Sequence, residues 1–152
     1  MKNFIPTQIA EVKISYSTNI KANERLQIKC SGDAYEIFAS NWNKSIEHTE
    51  TMMLLILNRA NRVLGITTLS QGGTAGCLVD VKIIMQYAIK ANATSMVLAH
   101  NHPSGSRQPS DADLKITRKV KSACEILDLS LLDHIILTPF DGYTSFADEG
   151  FL

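Results

Sequence analysis

The sequence predicts an α/β protein in which helices cover both faces of a mixed β-sheet. One observation is the segment 50–58 (ETMMLLILN), which is almost wholly apolar and too short for a typical helix. Such a run is typical of a strand that is buried on both faces. A second observation is that strands of this kind alternate along the chain with segments whose apolar residues follow helical spacing. Together they predict a three-layer α/β/α sandwich.

Length and composition limit the class of protein. A chain of 152 residues with 45% hydrophobic and 20% charged residues is expected to form one domain, which we take as 1–152. Fifteen basic and fifteen acidic residues cancel, so net charge gives no support for a nucleic-acid or membrane surface. Three isolated cysteines form no C-x-x-C pair, which favours buried thiols in a reducing, cytoplasmic compartment. We expect no signal peptide and no membrane span.

The first third of the chain predicts two extended segments and a helix. Glu11–Tyr16 alternates polar and apolar residues as a strand does, and Leu26–Cys30 is a shorter extended candidate. Asp33 is a candidate N-cap, with Glu36 three residues later. The helix that follows is expected to bury part of its apolar side, which comprises Tyr35, Ile37, Phe38 and Trp42.

The middle of the chain predicts a hairpin, a helix and the central strand. The buried strand Glu50–Asn58 turns through residues 58–62 into a partner strand, Val63–Ser70, before a glycine-rich loop at 72–76. Asp80 is expected to cap a helix over Val81–Ala91. Thr94–Ala99 then predicts a second buried strand.

The last third predicts a helix, a strand and a hairpin. A helix over Asp111–Leu127 would turn a core stripe inward, formed by Ile116, Val120, Ala123 and Leu127. Leu131–Thr138 reads as a strand, and Asp141-Gly142 predicts a tight turn into Tyr143–Phe146.

The segment 96–113 (MVLAHNHPSGSRQPSDAD) contains the candidate metal ligands. Successive side chains alternate across a strand, so His100 and His102 point the same way if the strand continues through them. Asp113 opens the next helix and can return to them if residues 103–109 form a compact loop. Two imidazoles and one carboxylate suit a zinc ion and leave one position open, as in catalytic zinc sites.

Simpler interpretations exist for each part of this segment. Ser110-x-x-Asp113 is also the spacing of a helix capping box. A His-x-His pair alone is more often two polar side chains exposed on a surface or in a loop. The combination of buried strand, paired histidines, turn-rich loop and helix-opening carboxylate favours a metal site.

These residues resemble the JAMM (MPN+, JAB1-type) metalloprotease motif, which is His-x-His, seven residues, Ser, two residues, Asp, with a glutamate on an earlier strand. His100, His102, Ser110 and Asp113 match it in full. The words AHNHPSG, QPSDAD, LLDHIIL and YTSFADEGFL are similar to the RadC-like branch of that family, over roughly residues 45–152. The resemblance implies a cytidine-deaminase-like core.

The resemblance also implies roles for these residues. His100, His102 and Asp113 would bind one Zn²⁺ ion, and an upstream glutamate would be the general base. Ser110 would hydrogen-bond either the metal-bound water or the oxyanion that forms on the substrate carbonyl. Glu50 is the preferred glutamate because it opens the apolar strand, and Glu47 is its rival. The implied activity is that of a zinc hydrolase, a peptidase or isopeptidase acting on a peptide or protein substrate.

Residues 1–44 depart from the resemblance. They read as a strand and helix extension without the helix-hairpin-helix region that RadC-like proteins often carry, so the family's DNA-repair label transfers poorly. A repair or recombination accessory role, with a structural or vestigial metal site, remains the alternative. It would draw on a basic group comprising Arg107, Lys115, Arg118, Lys119 and Lys121, which otherwise forms a solvated face. A zinc deaminase is disfavoured because the P-C-x-x-C ligands are missing.

Two further histidines carry weaker expectations. His134, next to Asp133 in a predicted strand, is either a packed histidine or a residue that orients a neighbour of the metal. His48 is expected to be solvated.

Overall fold

A computed structural model describes residues 15–42, 46–72 and 79–152. Its α-helices and strands follow the predicted order closely. They are α1 (Ser31–Asn41), β1 (Thr51–Leu57), β2 (Val63–Gln71), α2 (Val81–Lys90), β3 (Ser95–Asn101), α3 (Asp111–Ile126), β4 (Ser130–Leu137) and β5 (Tyr143–Ser145), with a 3-10 turn at Ala22–Glu24. The predicted strand Glu11–Tyr16 and the predicted glycine loop lie largely outside the described residues.

The described strands form one mixed sheet in the order β2-β1-β3-β4-β5. Strand β1 is antiparallel to both β2 and β3, whereas β3 and β4 are parallel. The parallel pair requires a long crossover, which α3 provides. Each hairpin turn contains a residue in the left-handed region, Asn61 (φ 53°) between β1 and β2 and Gly142 (φ 78°) between β4 and β5.

Helices cover both faces of the sheet, which confirms the predicted three-layer α/β/α arrangement. Residues of β1 alternate between two cores, as the period of two along a strand requires. Met53, Leu55 and Leu57 pack with Phe38 of α1 on one face. Met52, Leu54 and Ile56 pack against α2 and α3 on the other. This two-sided burial explains why β1 has no polar alternation.

The start of α1 differs from the prediction. The helix begins at Ser31, and Cys30 occupies the N-cap position that we assigned to Asp33. The Asp33 carboxylate instead reaches back, accepting hydrogen bonds from the backbone N–H groups of Lys29 (2.7 Å) and Cys30 (3.2 Å). The Lys29 contact lowers the pKa of Asp33. By contrast, Asp80 caps α2 as predicted, accepting from Lys82 N–H at 2.9 Å.

The inward face of α3 also differs from the prediction. Its buried residues are Asp113, Thr117, Val120 and Cys124. Of the predicted stripe, Val120 is fully buried, Ile116 and Ala123 are partly buried and pack against the same core, and Leu127 is 42% exposed. The helix is therefore rotated so that two polar residues of its first turns face the sheet. This rotation positions the site described below.

No helix in the described ranges combines the length and apolar character that a bilayer crossing requires.

Packing of α1 on the sheet predicts that residues before 45 contribute to the stability of the domain. Phe38 is fully buried, so Phe38→Ala should lower the free energy of unfolding by about 3–5 kcal/mol. Ile126 is 82% exposed, and Ile126→Ala should change it by less than about 0.5 kcal/mol. Urea unfolding measures both. Equal effects would show that α1 is not part of the folded core.

Candidate metal centre

The register between β1 and β3 brings the upstream glutamate to the histidines. Met52 pairs with His100 in this antiparallel ladder. If this register is continued two residues back from Met52 and two residues forward from His100, Glu50 falls opposite His102. Side chains two residues apart share a face, so Glu50 lies on the same side of the sheet as both imidazoles.

The two imidazoles converge through their Nε2 atoms, which are 2.9 Å apart. His100 is completely buried at the end of β3, whereas His102 lies just beyond it and is partly exposed. The Nδ1 atom of His102 lies 2.8 Å from the Ser106 carbonyl oxygen. A carbonyl only accepts, so this nitrogen carries the proton and Nε2 keeps its lone pair. Gly105, with φ of 80°, allows the turn that returns Ser106 to the histidine.

Asp113 completes the cluster from the first turn of α3. One carboxylate oxygen lies 3.2 Å from Nε2 of His100, and the other lies 3.3 Å from Nε2 of His102. Among the described residues, ligand atoms of Glu50, His100, His102 and Asp113 all lie within 4.8 Å of one another. The structure therefore brings together all four acidic and histidine residues that the sequence proposed.

These separations fit a tetrahedral zinc ion. Metal–ligand distances of about 2.0–2.1 Å place the ligand atoms of such an ion about 3.3 Å apart. The contacts of 2.9, 3.2 and 3.3 Å among the two imidazoles and the Asp113 carboxylate are close to that value. Neutral imidazole and carboxylate are also ligands that zinc accepts. The donor set and its spacing thus suit the ion that the motif implied.

Contacts within the cluster shift the pKa values of Asp113 and His102. Burial would raise the pKa of Asp113, but its close contacts with His100 and His102 outweigh burial and hold that pKa well below its usual range. Burial would likewise lower the pKa of His102, yet its contacts with the Asp113 carboxylate and the Ser106 carbonyl raise it instead. Asp113 is therefore an anion at neutral pH and presents its charge to whatever cation the site holds.

Comparison with known proteins shows the family of this chain. The family model described as "RadC-like JAB domain" matches residues 28–151. The chain belongs to this family. The match begins before the motif-bearing core that we took to start at 45, and it includes α1.

Relatives of this RadC-like JAB domain carry the name UPF0758 protein. One from Flavobacterium johnsoniae is 48% identical over 101 residues, which are 66% of this chain and 44% of the relative. One from Acinetobacter baumannii is 30% identical over 151 residues, 99% of this chain and 58% of its own. The chain spans about half the length of the curated relatives it matches.

Ser110 forms the capping box that was the simpler interpretation of its spacing. Its Oγ accepts from the Asp113 N–H at 3.1 Å, and its own N–H donates to Asp113 Oδ2 at 2.7 Å. The same contacts orient the Asp113 carboxylate toward the histidines. The Oγ uses a lone pair in this bond, so its proton can be donated elsewhere.

An open groove of about 430 Å³ runs beside the cluster. Ser110, Glu50 and His102 line it on the side of the metal ligands. The remaining lining residues are His48, Pro103, Ser104, Ser106 and Gln108. The groove gives a substrate access to the partly buried Glu50 and to the exposed edge of the ligand set.

Glu47, the rival of Glu50, lies away from the cluster. It is exposed in the turn before β1 and is not among the grouped ligand atoms of the described residues. Three residues separate the two glutamates in sequence, but only Glu50 follows the strand register to the histidines.

Asn101 is a residue of the site that sequence reasoning missed. It is completely buried between the two histidines, and its amide points the other way. Its Oδ1 accepts from Thr51 N–H at 2.7 Å, while its Nδ2 donates to the carbonyls of Ile46 (2.7 Å) and Thr49 (3.0 Å). The amide thereby holds the segment that contains Glu50. The sequence signal that could have identified Asn101 is its amide side chain at the end of a largely apolar strand.

Loss of this amide should destabilise the domain. Asn101→Ala leaves one N–H and two carbonyls without a partner, so we expect a loss of about 2–4 kcal/mol in the free energy of unfolding. Asn41→Ala is the control, because its exposed amide makes one bond within its own helix. Denaturant unfolding in the presence of a chelator measures both. Similar losses for the two variants would contradict the role of Asn101 as a clamp.

Proposed function

We propose that this RadC-like JAB domain is a zinc-dependent hydrolase that cleaves an amide bond, as a peptidase or isopeptidase. The observation that carries the proposal is the convergence of Glu50, His100, His102 and Asp113 beside an open groove. Family membership supports the same chemistry. The names of the relatives state no activity, so the reaction is inferred from the residues themselves.

His100, His102 and Asp113 would hold the zinc ion. When bound, zinc supplies a water whose pKa is lowered to about 7 and polarises a carbonyl oxygen. His100 and Asp113 are buried, and the loop carrying His102 forms one wall of the groove. The ion's open side would therefore face the groove rather than the core.

Glu50 would act as the general base. Its carboxylate lies in the cluster but also lines the groove, so it can accept a proton from an attacking water there. The same carboxyl group can then return that proton to the departing amine. This double use explains why the residue needs access both to the ligands and to the substrate.

Ser110 would stabilise the transition state. Ser110 lines the groove, and its hydroxyl oxygen accepts from the Asp113 N–H. The remaining proton can be donated to the carbonyl oxygen as negative charge develops on it. Such a donor typically contributes about 10²–10³-fold in kcat.

The substrate that this proposal implies is a peptide or protein. A cytoplasmic location belongs to the same proposal, because exposed Cys30 and buried Cys124 are both free thiols.

Zinc analysis tests the ligand assignment. We expect the purified protein to bind one equivalent of zinc, and His100→Ala to lose it. His48→Ala is a matched control, because His48 lines the same groove but lies outside the ligand group of the described residues. Elemental analysis after dialysis against zinc gives the stoichiometry. A wild-type protein without zinc, or equal retention in His100→Ala, would refute the proposal.

Glu50→Gln tests the general base. The substitution keeps the shape of the side chain but removes the proton acceptor, so zinc should remain bound while kcat falls by about 10²–10⁴-fold. Glu47→Gln should leave both unchanged. Cleavage of quenched-fluorescent peptide libraries and of isopeptide-linked conjugates measures the activity. A loss in Glu47→Gln but not in Glu50→Gln would reverse the assignment.

A nucleic-acid role is the competing function. Lys115, Arg118 and Lys119 are exposed on α3, which gives them access to a phosphate backbone. Duplex DNA binding that weakens with salt, survives His100→Ala and is lost in Lys115→Glu with Arg118→Glu would favour it.

A further inference from the structure

His134 is a buried histidine that the proposed reaction does not use. It lies on β4 beside β3 and is completely buried. Its Nε2 atom lies 2.8 Å from Nδ1 of His100, the ring nitrogen that faces away from the ligand cluster. Its own Nδ1 lies 2.7 Å from the hydroxyl oxygen of Thr117 on α3. The contacts form a chain of hydrogen bonds behind the metal centre.

The direction of each bond in this chain follows from its last member. The Thr117 hydroxyl lies 2.6 Å from the backbone carbonyl oxygen of Asp113. Two oxygens this close repel unless a proton lies between them, so the hydroxyl donates to the carbonyl. The Thr117 oxygen then has only lone pairs to offer, and it accepts from Nδ1–H of His134.

The position of the proton on His134 determines in turn the position of the proton on the metal ligand His100. A neutral imidazole that donates from Nδ1 must accept at Nε2. The ring is completely buried, and its nitrogens hydrogen-bond an imidazole and a hydroxyl, an environment that favours the neutral form. His100 therefore donates from Nδ1–H, and its Nε2 lone pair is directed toward His102 and Asp113.

We propose that His134 and Thr117 are positioning residues that hold His100 in the tautomer and orientation required of a metal ligand. The proposal rests on the metal site of the proposed function and adds a support behind it. We call this chain of hydrogen bonds the relay. It begins at one ligand, His100, and ends on the backbone carbonyl of another, Asp113. It thereby joins strand β3 to helix α3 at the metal centre.

His134 itself is rigidly placed. The Asp133 carboxylate accepts from the backbone N–H of His134 at 2.7 Å and from that of Ala147 at 2.9 Å. The ring of Phe146 lies 4.7 Å from the His134 ring, centroid to centroid, and is also completely buried. A support that cannot rotate transmits a fixed orientation to His100.

The two histidine ligands are thus oriented by different means. His102 relies on a loop carbonyl, Ser106, that lies at the exposed rim. His100 relies on the buried relay. Loss of the relay should therefore weaken metal binding without changing the groove beside His102.

Zinc affinity measured by competition with a chromophoric chelator tests the relay. His134→Leu removes the acceptor and should weaken binding about 10- to 100-fold, as loss of such supporting hydrogen bonds usually does. His134→Gln places an amide oxygen where Nε2 lay and should recover part of that loss. Thr117→Val should weaken binding about 2- to 10-fold, since it removes the hydroxyl that accepts from His134 and donates to the Asp113 carbonyl.

Thr138→Val is the matched control for Thr117→Val. Thr138 is also a buried threonine whose hydroxyl donates to a backbone carbonyl, that of Gly142 at 3.0 Å, and accepts from a backbone N–H. It lies in the β4–β5 hairpin, and the hydrogen bonds of its hydroxyl within the described residues go to Gly142 and Asp141 rather than to a histidine. Its variant should bind zinc as the wild type does.

Nitrogen NMR of the metal-free protein gives a second readout. Long-range ¹⁵N–¹H correlations should show His100 protonated at Nδ1 in the wild type and as a mixture of tautomers in Thr117→Val. Wild-type-like affinity and tautomer in Thr117→Val would overturn the relay, whether or not His134→Leu folds. If the wild type bound no zinc, the proposed function would fail, and the tautomer measurement would still decide the relay.

Discussion

The pairing of β1 with β3 is the constraint on which the site depends. Met52 opposite His100 is the register that sets Glu50 beside His102. A slip of one residue would turn the ligands to the opposite face of the sheet, and a slip of two would move Glu50 by about 7 Å. Both strands are buried on both faces, so either slip would misplace every apolar side chain. The Asn101 amide adds a polar lock at the same end of the pair.

The metal centre is a group of polar side chains at the edge of an apolar core. Helix α3 turns Asp113 and Thr117 inward, where burial alone would penalise them. Both are held by neighbours in the group: the Ser110 N–H donates to the Asp113 carboxylate, and Thr117 is held between His134 and the Asp113 carbonyl. Because the polar atoms satisfy one another, the chain can keep an anion and three histidines close to its core.

Much of the fold follows from local patterns. Two-sided apolar runs marked the central strands, Asp80 marked a helix start, and Asp141-Gly142 marked a hairpin, since each depends on neighbours in the sequence. The sequence predictions were wrong where a side chain could contact either of two partners. Asp33 reached back toward Lys29 instead of capping forward, and α3 rotated to bury Thr117 in place of the predicted Leu127. Spacing alone could not decide between those faces, because both repeat with the helical period.

The sequence by itself determined the candidate ligands His100, His102 and Asp113, because their spacing spans one strand end, one loop and one helix start. Only the tertiary structure decided what lies around them. It separated Glu50 from Glu47 through strand register, showed that Asn101 clamps the glutamate's segment, and placed His134 and Thr117 behind His100. Those contacts join residues 17 to 50 positions apart, and only the packing of strands and helices brings such residues together.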